Sequence, residues 1–224
     1  MRLSDGEVAC VIGPNGSGKS TILKAIMGIV KPTEGDIMFD GKDITGLEPH
    51  EVLRRGICLL PQGRTAFPMM SVLENLEMGA HILKSRNRVQ ERLREAYDLF
   101  PMLKERRKDA ASKLSGGELT MLCIARATMS DPKIMLLDEP SLGLAPRVLS
   151  QVYEKIVEIN SKGSSMVIVE QNVSKVLKIA NYAYVLSSGR KDFEGSCEAL
   201  LKDDRLKKVY LGAVRDESKN RRQD

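Results

Sequence analysis

The chain has 224 residues, 42% of them hydrophobic and 29% charged, which suits one domain with a real core and excludes a disordered or fibrous protein. No run of about 18 apolar residues occurs, so no helix is expected to cross a membrane, and the apolar stretch 8–12 is too short for a signal peptide. The net charge of +5 is matched by residues 82–108 alone, where nine Lys or Arg face four Asp or Glu. That stretch lacks the interleaved aromatic platform of a single-strand binder, so a solvated helical face is the preferred reading over a nucleic-acid or anionic-membrane surface.

In chain order, strand-length apolar runs alternate with helix-length amphipathic stretches, which predicts an α/β fold with a largely parallel sheet. Strands are expected at 8–12, 57–60, 134–137, 166–169 and 182–186. Shorter pieces beside glycines, near 36–40 and 190–193, have the character of hairpins. Helices are expected at 19–27, 146–161 and 173–180. The stretch 71–113 has no strand candidate. Ser71 with Glu74 forms a capping box opening a helix through residue 83, and a second helix spans 88–100 and stops at Pro101. A helical lobe is therefore inserted into a sheet-based core, and residues 213–224 form a polar tail. The four cysteines, Cys10, Cys58, Cys123 and Cys197, show no CxxC or Cys/His clustering and suggest reduced thiols of a cytosolic protein.

Three segments carry chemistry. Gly13, Pro14, Asn15, Gly16, Ser17, Gly18, Lys19 and Ser20, with Thr21 following, fit GxxxxGK[ST] between a strand and a helix. Glycines let backbone N–H groups close around phosphates, and the helix start adds a positive dipole end. Lys19 would reach the β- and γ-phosphates, and the Ser20 hydroxyl would ligate Mg²⁺. Downstream, the buried-strand run 134–139 ends in Asp138 and Glu139, placed to hold Mg²⁺ and to polarise an attacking water. Between them, Leu114, Ser115, Gly116, Gly117 and Glu118 precede an amphipathic run to Ser130. Ser115 would cap that helix, and the two glycines leave its amides open to an anion. One nucleotide does not need two cradles from one subunit, so this second cradle is expected to serve a nucleotide held by a partner.

These segments resemble the ATP-binding subunits of ABC transporters over nearly the whole chain. GPNGSGKS is similar to the Walker A loop, IMLLDEP to Walker B and LSGGE to the signature motif. Gln62 matches the Q-loop glutamine, which implies contact with Mg²⁺ and sensing of a membrane partner. LLPQGRTAFPMMSVLENLEMGA, DEPSLGLAP, VIVEQN and VYLG resemble the second ATPase subunit of branched-chain amino acid importers; urea and amide importers share much of this wording.

The resemblance implies a RecA-like P-loop NTPase with a mostly parallel sheet, an antiparallel β subdomain and an α-helical lobe. It also implies one nucleotide-binding domain over 1–224, with core lobe 1–70 and 114–212. The implied partners are a second ABC ATPase subunit (identical or a sister) and membrane permeases, with no nucleic acid. The implied location is the cytoplasmic face of the membrane.

Two departures stand out. The switch histidine of many relatives is Gln171 here, which can hydrogen-bond a phosphate or water but cannot take a proton. The D-loop aspartate has no counterpart after Ser141-Leu142-Gly143-Leu144. Relatives also carry upstream strands with an aromatic that stacks on adenine. Met1 lies just ahead of the first strand, so either the native chain starts earlier, the reading preferred here, or base selection is weak.

Overall fold

The computed structural model describes residues 1–63 and 65–202; Arg64, the VYLG segment and the polar tail 213–224 lie outside the described residues. The elements run in this order. β1 is Val8–Ile12, α1 Lys19–Ile26, β2 Met38–Phe39, β3 Lys42–Asp43, α2 Pro49–Arg54 and β4 Ile57–Leu60. They are followed by α3 Val72–Gly79, α4 Arg86–Leu99, α5 Pro101–Glu105, a 3₁₀ turn Ala111–Lys113, α6 Gly116–Thr128 and β5 Ile134–Asp138. The chain then forms α7 Pro146–Ser161, β6 Ser165–Glu170, α8 Val173–Val176, β7 Tyr182–Ser187, β8 Arg190–Ser196 and α9 Cys197–Lys202.

The six-stranded sheet has the order β4-β5-β6-β1-β7-β8. Its first five strands are parallel, and β8 returns antiparallel on β7. β2 and β3 pair in a separate antiparallel hairpin across Asp40-Gly41. Both faces of the parallel part of the sheet are buried, which is why β1, β4, β5, β6 and β7 are largely apolar, whereas the antiparallel edge strand β8 is polar and mostly exposed. Cys10, Ile12, Leu137 and Ile168 point to one face, and Val11, Leu136 and Val167 to the other. Against the second face packs α1 through Leu23. Against the first pack α6 and α7, and that core continues without interruption through Leu76, Leu93 and Leu103 of the helical segment.

Several boundaries differ from expectation. α3 ends at Gly79, four residues early, because a run of turns follows it. α4 begins at Arg86, two residues early, because Ser85 accepts the Arg88 N–H and caps it. Pro101 does not only stop α4: it opens α5, where its missing N–H costs nothing. The helix expected over 173–180 is only four residues long. α2, its N-cap a glutamate whose side chain closes a capping box with Glu51, was not anticipated, and neither was α9.

The basic stretch 82–108 is partly neutralised within the fold. Arg88 pairs with Glu91 and Asp131, Arg92 with Glu95 and Asp131, and Arg106 with Asp109 and Glu118. Asp131 thereby ties α4 to the end of α6.

Candidate active site

In a parallel sheet the carboxyl ends of the strands share one edge, and ligands bind there. β1, β4, β5 and β6 each deliver at least one chemical group to that edge. Strand register makes the alignment specific: Leu60 lies opposite Leu137 and Asp138 opposite Val169. Gln62 and Glu139, each two residues further on, are thus brought level, with Gln171 in the turn just past the end of β6, the next strand.

The loop after β1 turns through Gly18, in the left-handed region at φ 98°, into α1. Gly13 needs to be glycine, since a Cβ there would lie 2.2 Å from the Leu186 carbonyl oxygen. Lys19 is buried, and its Nζ donates to the carbonyls of Gly13 (2.9 Å) and Pro14 (3.0 Å). The Ser17 hydroxyl is buried with no hydrogen-bond partner, which leaves a polar atom of the loop available to a ligand. Pro14, Asn15, Gly16 and Thr21 are exposed.

Ser20 Oγ donates to Asp138 Oδ1 at 2.8 Å. A hydroxyl and a carboxylate side by side are hard oxygen donors of the kind Mg²⁺ takes, so the residues present fit that ion. Burial pushes the Asp138 carboxyl up; the Ser20 hydrogen bond opposes this, the Glu139 charge adds to it, and Lys24 and Lys19 counter it.

Glu139 is buried and sits in left-handed backbone at φ 49°, a conformation uncommon for a side-chain-bearing residue. Its N–H donates to Val169 O at 2.9 Å. Both carboxylate oxygens are occupied: Oε2 accepts from Gln62 Nε2 and Oε1 from Gln171 Nε2, each at 2.7 Å. Gln62, expected beside Mg²⁺, therefore places its amide on Glu139, as does Gln171.

Leu114 is buried and Ser115 caps α6 in a full capping box: Ser115 Oγ accepts the Glu118 N–H, and Glu118 Oε2 accepts the Ser115 N–H at 2.7 Å. Gly116 and Gly117 form the first turn; a Cβ on Gly117 would come within 2.6 Å of Val148 Cγ1 on α7. No hydrogen bond among the described residues joins this helix start to the Lys19 loop.

Sequence reasoning missed three positions. Arg106 grips Glu118 with bonds of 3.0 and 2.9 Å and also donates to Lys113 O at 3.0 Å. Hydrogen bonds from Ser115, then from Arg106, hold the Glu118 carboxyl below its usual range. Asn75, 0% exposed, accepts the Phe67 N–H and donates to the carbonyls of Phe67, Met70 and Ser71, so it shapes the loop after β4. Glu170 is the third: burial pushes its carboxyl up against the hydrogen bonds it accepts. A lone carboxylate closing an apolar strand was the available signal for it.

The loop after β4 presents Phe67 half in solvent, under the Arg126 guanidinium at 5.2 Å, and Met69 at 87% exposure. Beside it is a groove of about 250 Å³ lined by Leu53, Leu60, Phe67, Met78 and Arg126.

The arrangement defines a nucleotide-hydrolysing P-loop protein. Residues 1–142 match the family described as ABC transporter, and the chain belongs to that family. Among similar proteins, the high-affinity branched-chain amino acid transport ATP-binding protein BraG of Pseudomonas aeruginosa is 40% identical over 95% of this chain and 91% of its own length. The lipopolysaccharide export system ATP-binding protein LptB of Escherichia coli K12 is 34% identical over 95% and 88%. Among solved structures, the ADP conformation of MJ1267, an ATP-binding cassette of an ABC transporter, superposes with a TM-score of 0.81 at 32% identity, covering 95% of this chain and 90% of that one. A dimeric bacterial ABC transporter cassette, MJ0796, gives 0.76 at 26% identity, covering 88% of each chain. The fold is that of an ABC ATPase cassette, a protein that binds and hydrolyses ATP.

Proposed function

We propose that the chain energises an ABC importer of branched-chain or other hydrophobic amino acids, working as one half of a two-subunit ATPase. The observation that carries the catalytic part is the meeting of Lys19, Ser20, Asp138 and Glu139 at the carboxyl ends of β1 and β5, the two strands that flank β6. The 13–21 loop cradles the triphosphate, and Lys19 exchanges its carbonyl partners for phosphate oxygens. Ser20 and Asp138, with Gln62, would hold Mg²⁺, which neutralises charge on the β- and γ-phosphates when bound. Glu139 orients the attacking water and takes its proton, because Gln171 has no proton-accepting capacity at neutral pH. The two glutamine amides hold the Glu139 carboxylate in a single orientation and are the groups that ATP must redistribute.

Leu114, Ser115, Gly116, Gly117 and Glu118 serve the γ-phosphate held by the partner subunit, identical or sister. Support comes from the open first turn of α6 and from the dimeric form of the MJ0796 cassette. The exposed Phe67–Met69 segment and the adjoining groove fit an apolar helix of a membrane permease, which would hold the subunit at the cytoplasmic face. Among the described residues no helix is long and apolar enough to cross a membrane. The BraG likeness favours amino acids as the solute, although the LptB likeness is nearly as extensive.

Reconstituting the chain with its permease and sister ATPase in proteoliposomes tests the solute. Branched-chain amino acids should stimulate ATP hydrolysis. Stimulation only by urea or short amides would overturn the solute assignment, and salt-sensitive nucleic-acid binding without any solute response would replace transport with a soluble role.

A further inference from the structure

β6 is buried along its whole length and ends in Glu170, 2% exposed, with no Lys or Arg paired to it among the described residues. A buried carboxylate without a cation persists only where hydrogen-bond donors converge on it. Here Oε1 accepts the Ser141 N–H at 3.1 Å, and Oε2 accepts the N–H groups of Gln171 at 3.2 Å and Asn172 at 3.4 Å. Ser141 lies two residues after Glu139, and Gln171 returns to Glu139 through its side-chain amide. The result is a closed ring: Glu139 to Ser141 along the chain, Ser141 to Glu170 by hydrogen bond, Glu170 to Gln171 along the chain, and Gln171 back to Glu139.

We propose that Glu170 is a positioning residue of the hydrolytic site, whose carboxylate fixes the turn after β6 and so sets the Gln171 amide on Glu139. It touches neither nucleotide nor water and acts through Gln171. The inference rests on the reading of Glu139 as the base. Only a carboxylate meets the requirement, because donors arrive at both oxygens. Glutamine matches its shape but turns an NH₂ group towards one set of donors, and aspartate is one methylene short of spanning both loops.

The test is a double-mutant cycle of Glu170→Gln with Gln171→Ala, read as steady-state kcat and KM for ATP, with Tm recorded for every variant. Glu170→Gln should lower kcat by about 10- to 100-fold with KM nearly unchanged. In the Gln171→Ala background it should have no further effect on kcat, since the amide it positions is gone. Multiplicative losses in the double variant, a Gln171→Ala protein with wild-type kcat, or a Glu170→Gln loss confined to Tm would each overturn the proposal. Glu139→Gln measured alongside separates the two readings. If that variant keeps its turnover, the base assignment fails; if it loses turnover while the cycle shows no coupling, only the role of Glu170 falls.

Discussion

Replacing Glu139 with glutamine separates hydrolysis from binding, and the surroundings of the side chain set the size of each effect. Both carboxylate oxygens accept amide N–H groups at 2.7 Å. Glutamine keeps the volume and one acceptor and sets its NH₂ against one donor. A half-turn of the Gln62 or Gln171 amide restores that pair, so the fold should lose no more than about 1 kcal/mol. The proton acceptor, in contrast, is lost, and a positioned general base contributes roughly 10²–10⁴ in rate, about 2.7–5.5 kcal/mol of barrier. Phosphate release under saturating Mg²⁺·ATP, alongside titration with a fluorescent nucleotide, reads both quantities. Turnover should fall by that factor while nucleotide affinity stays within about threefold. A variant hydrolysing ATP within about tenfold of the parent chain would refute the role of Glu139 and transfer proton acceptance to the substrate phosphate.

Asp138→Asn makes a prediction about stability. Because burial raises the native carboxyl, the folded state keeps a proton that the unfolded chain loses above about pH 4, and stability falls as pH rises through that window. The asparagine variant should therefore melt a few degrees above the parent near pH 7 without nucleotide, lose that advantage below about pH 4, and gain less from Mg²⁺·ATP; thermal denaturation at two pH values is the measurement. Arg106→Ala should leave nucleotide binding by the isolated subunit intact, since the Arg106 partners are Asp109, the Lys113 carbonyl and Glu118 and none of them belongs to the Lys19 loop. It should lower turnover of the assembled pair by as much as about 10²-fold through misplacement of the helix start, and equal losses in binding and turnover would contradict the division of labour between the two cradles.

The parallel strands and the phosphate loop were legible because each carries its physics locally. Burial on both faces writes β1, β5 and β6 as continuous apolar runs, and the glycines at 13, 16 and 18 sit where backbone must curve tightly. Ser71 and Ser115 announced their helices because a hydroxyl three residues ahead of a glutamate is a short-range signal. α2 escaped notice because its cap is Glu48, a residue seldom used there, over a six-residue helix. The meeting of Gln62 and Gln171 on Glu139 could not be read in advance, since it depends on β4 and β6 flanking β5, an order that only the folded sheet establishes. The Arg106–Glu118 and Glu170–Ser141 pairs are likewise tertiary, joining residues 12 and 29 positions apart.

Arg126 near the far end of α6 holds the loop after β4, donating to Thr65 O at 2.9 Å and Thr65 Oγ1 at 3.0 Å while covering Phe67. Ser115 caps the opposite end of the same helix, eleven residues or roughly 16 Å away at 1.5 Å per residue. With most of its residues sunk in the core, α6 has little freedom to bend or slip on its own. It behaves as a rod seated in a socket: a force applied to the exposed Phe67–Met69 tip arrives at the glycine-flanked end as a shift of the whole lever.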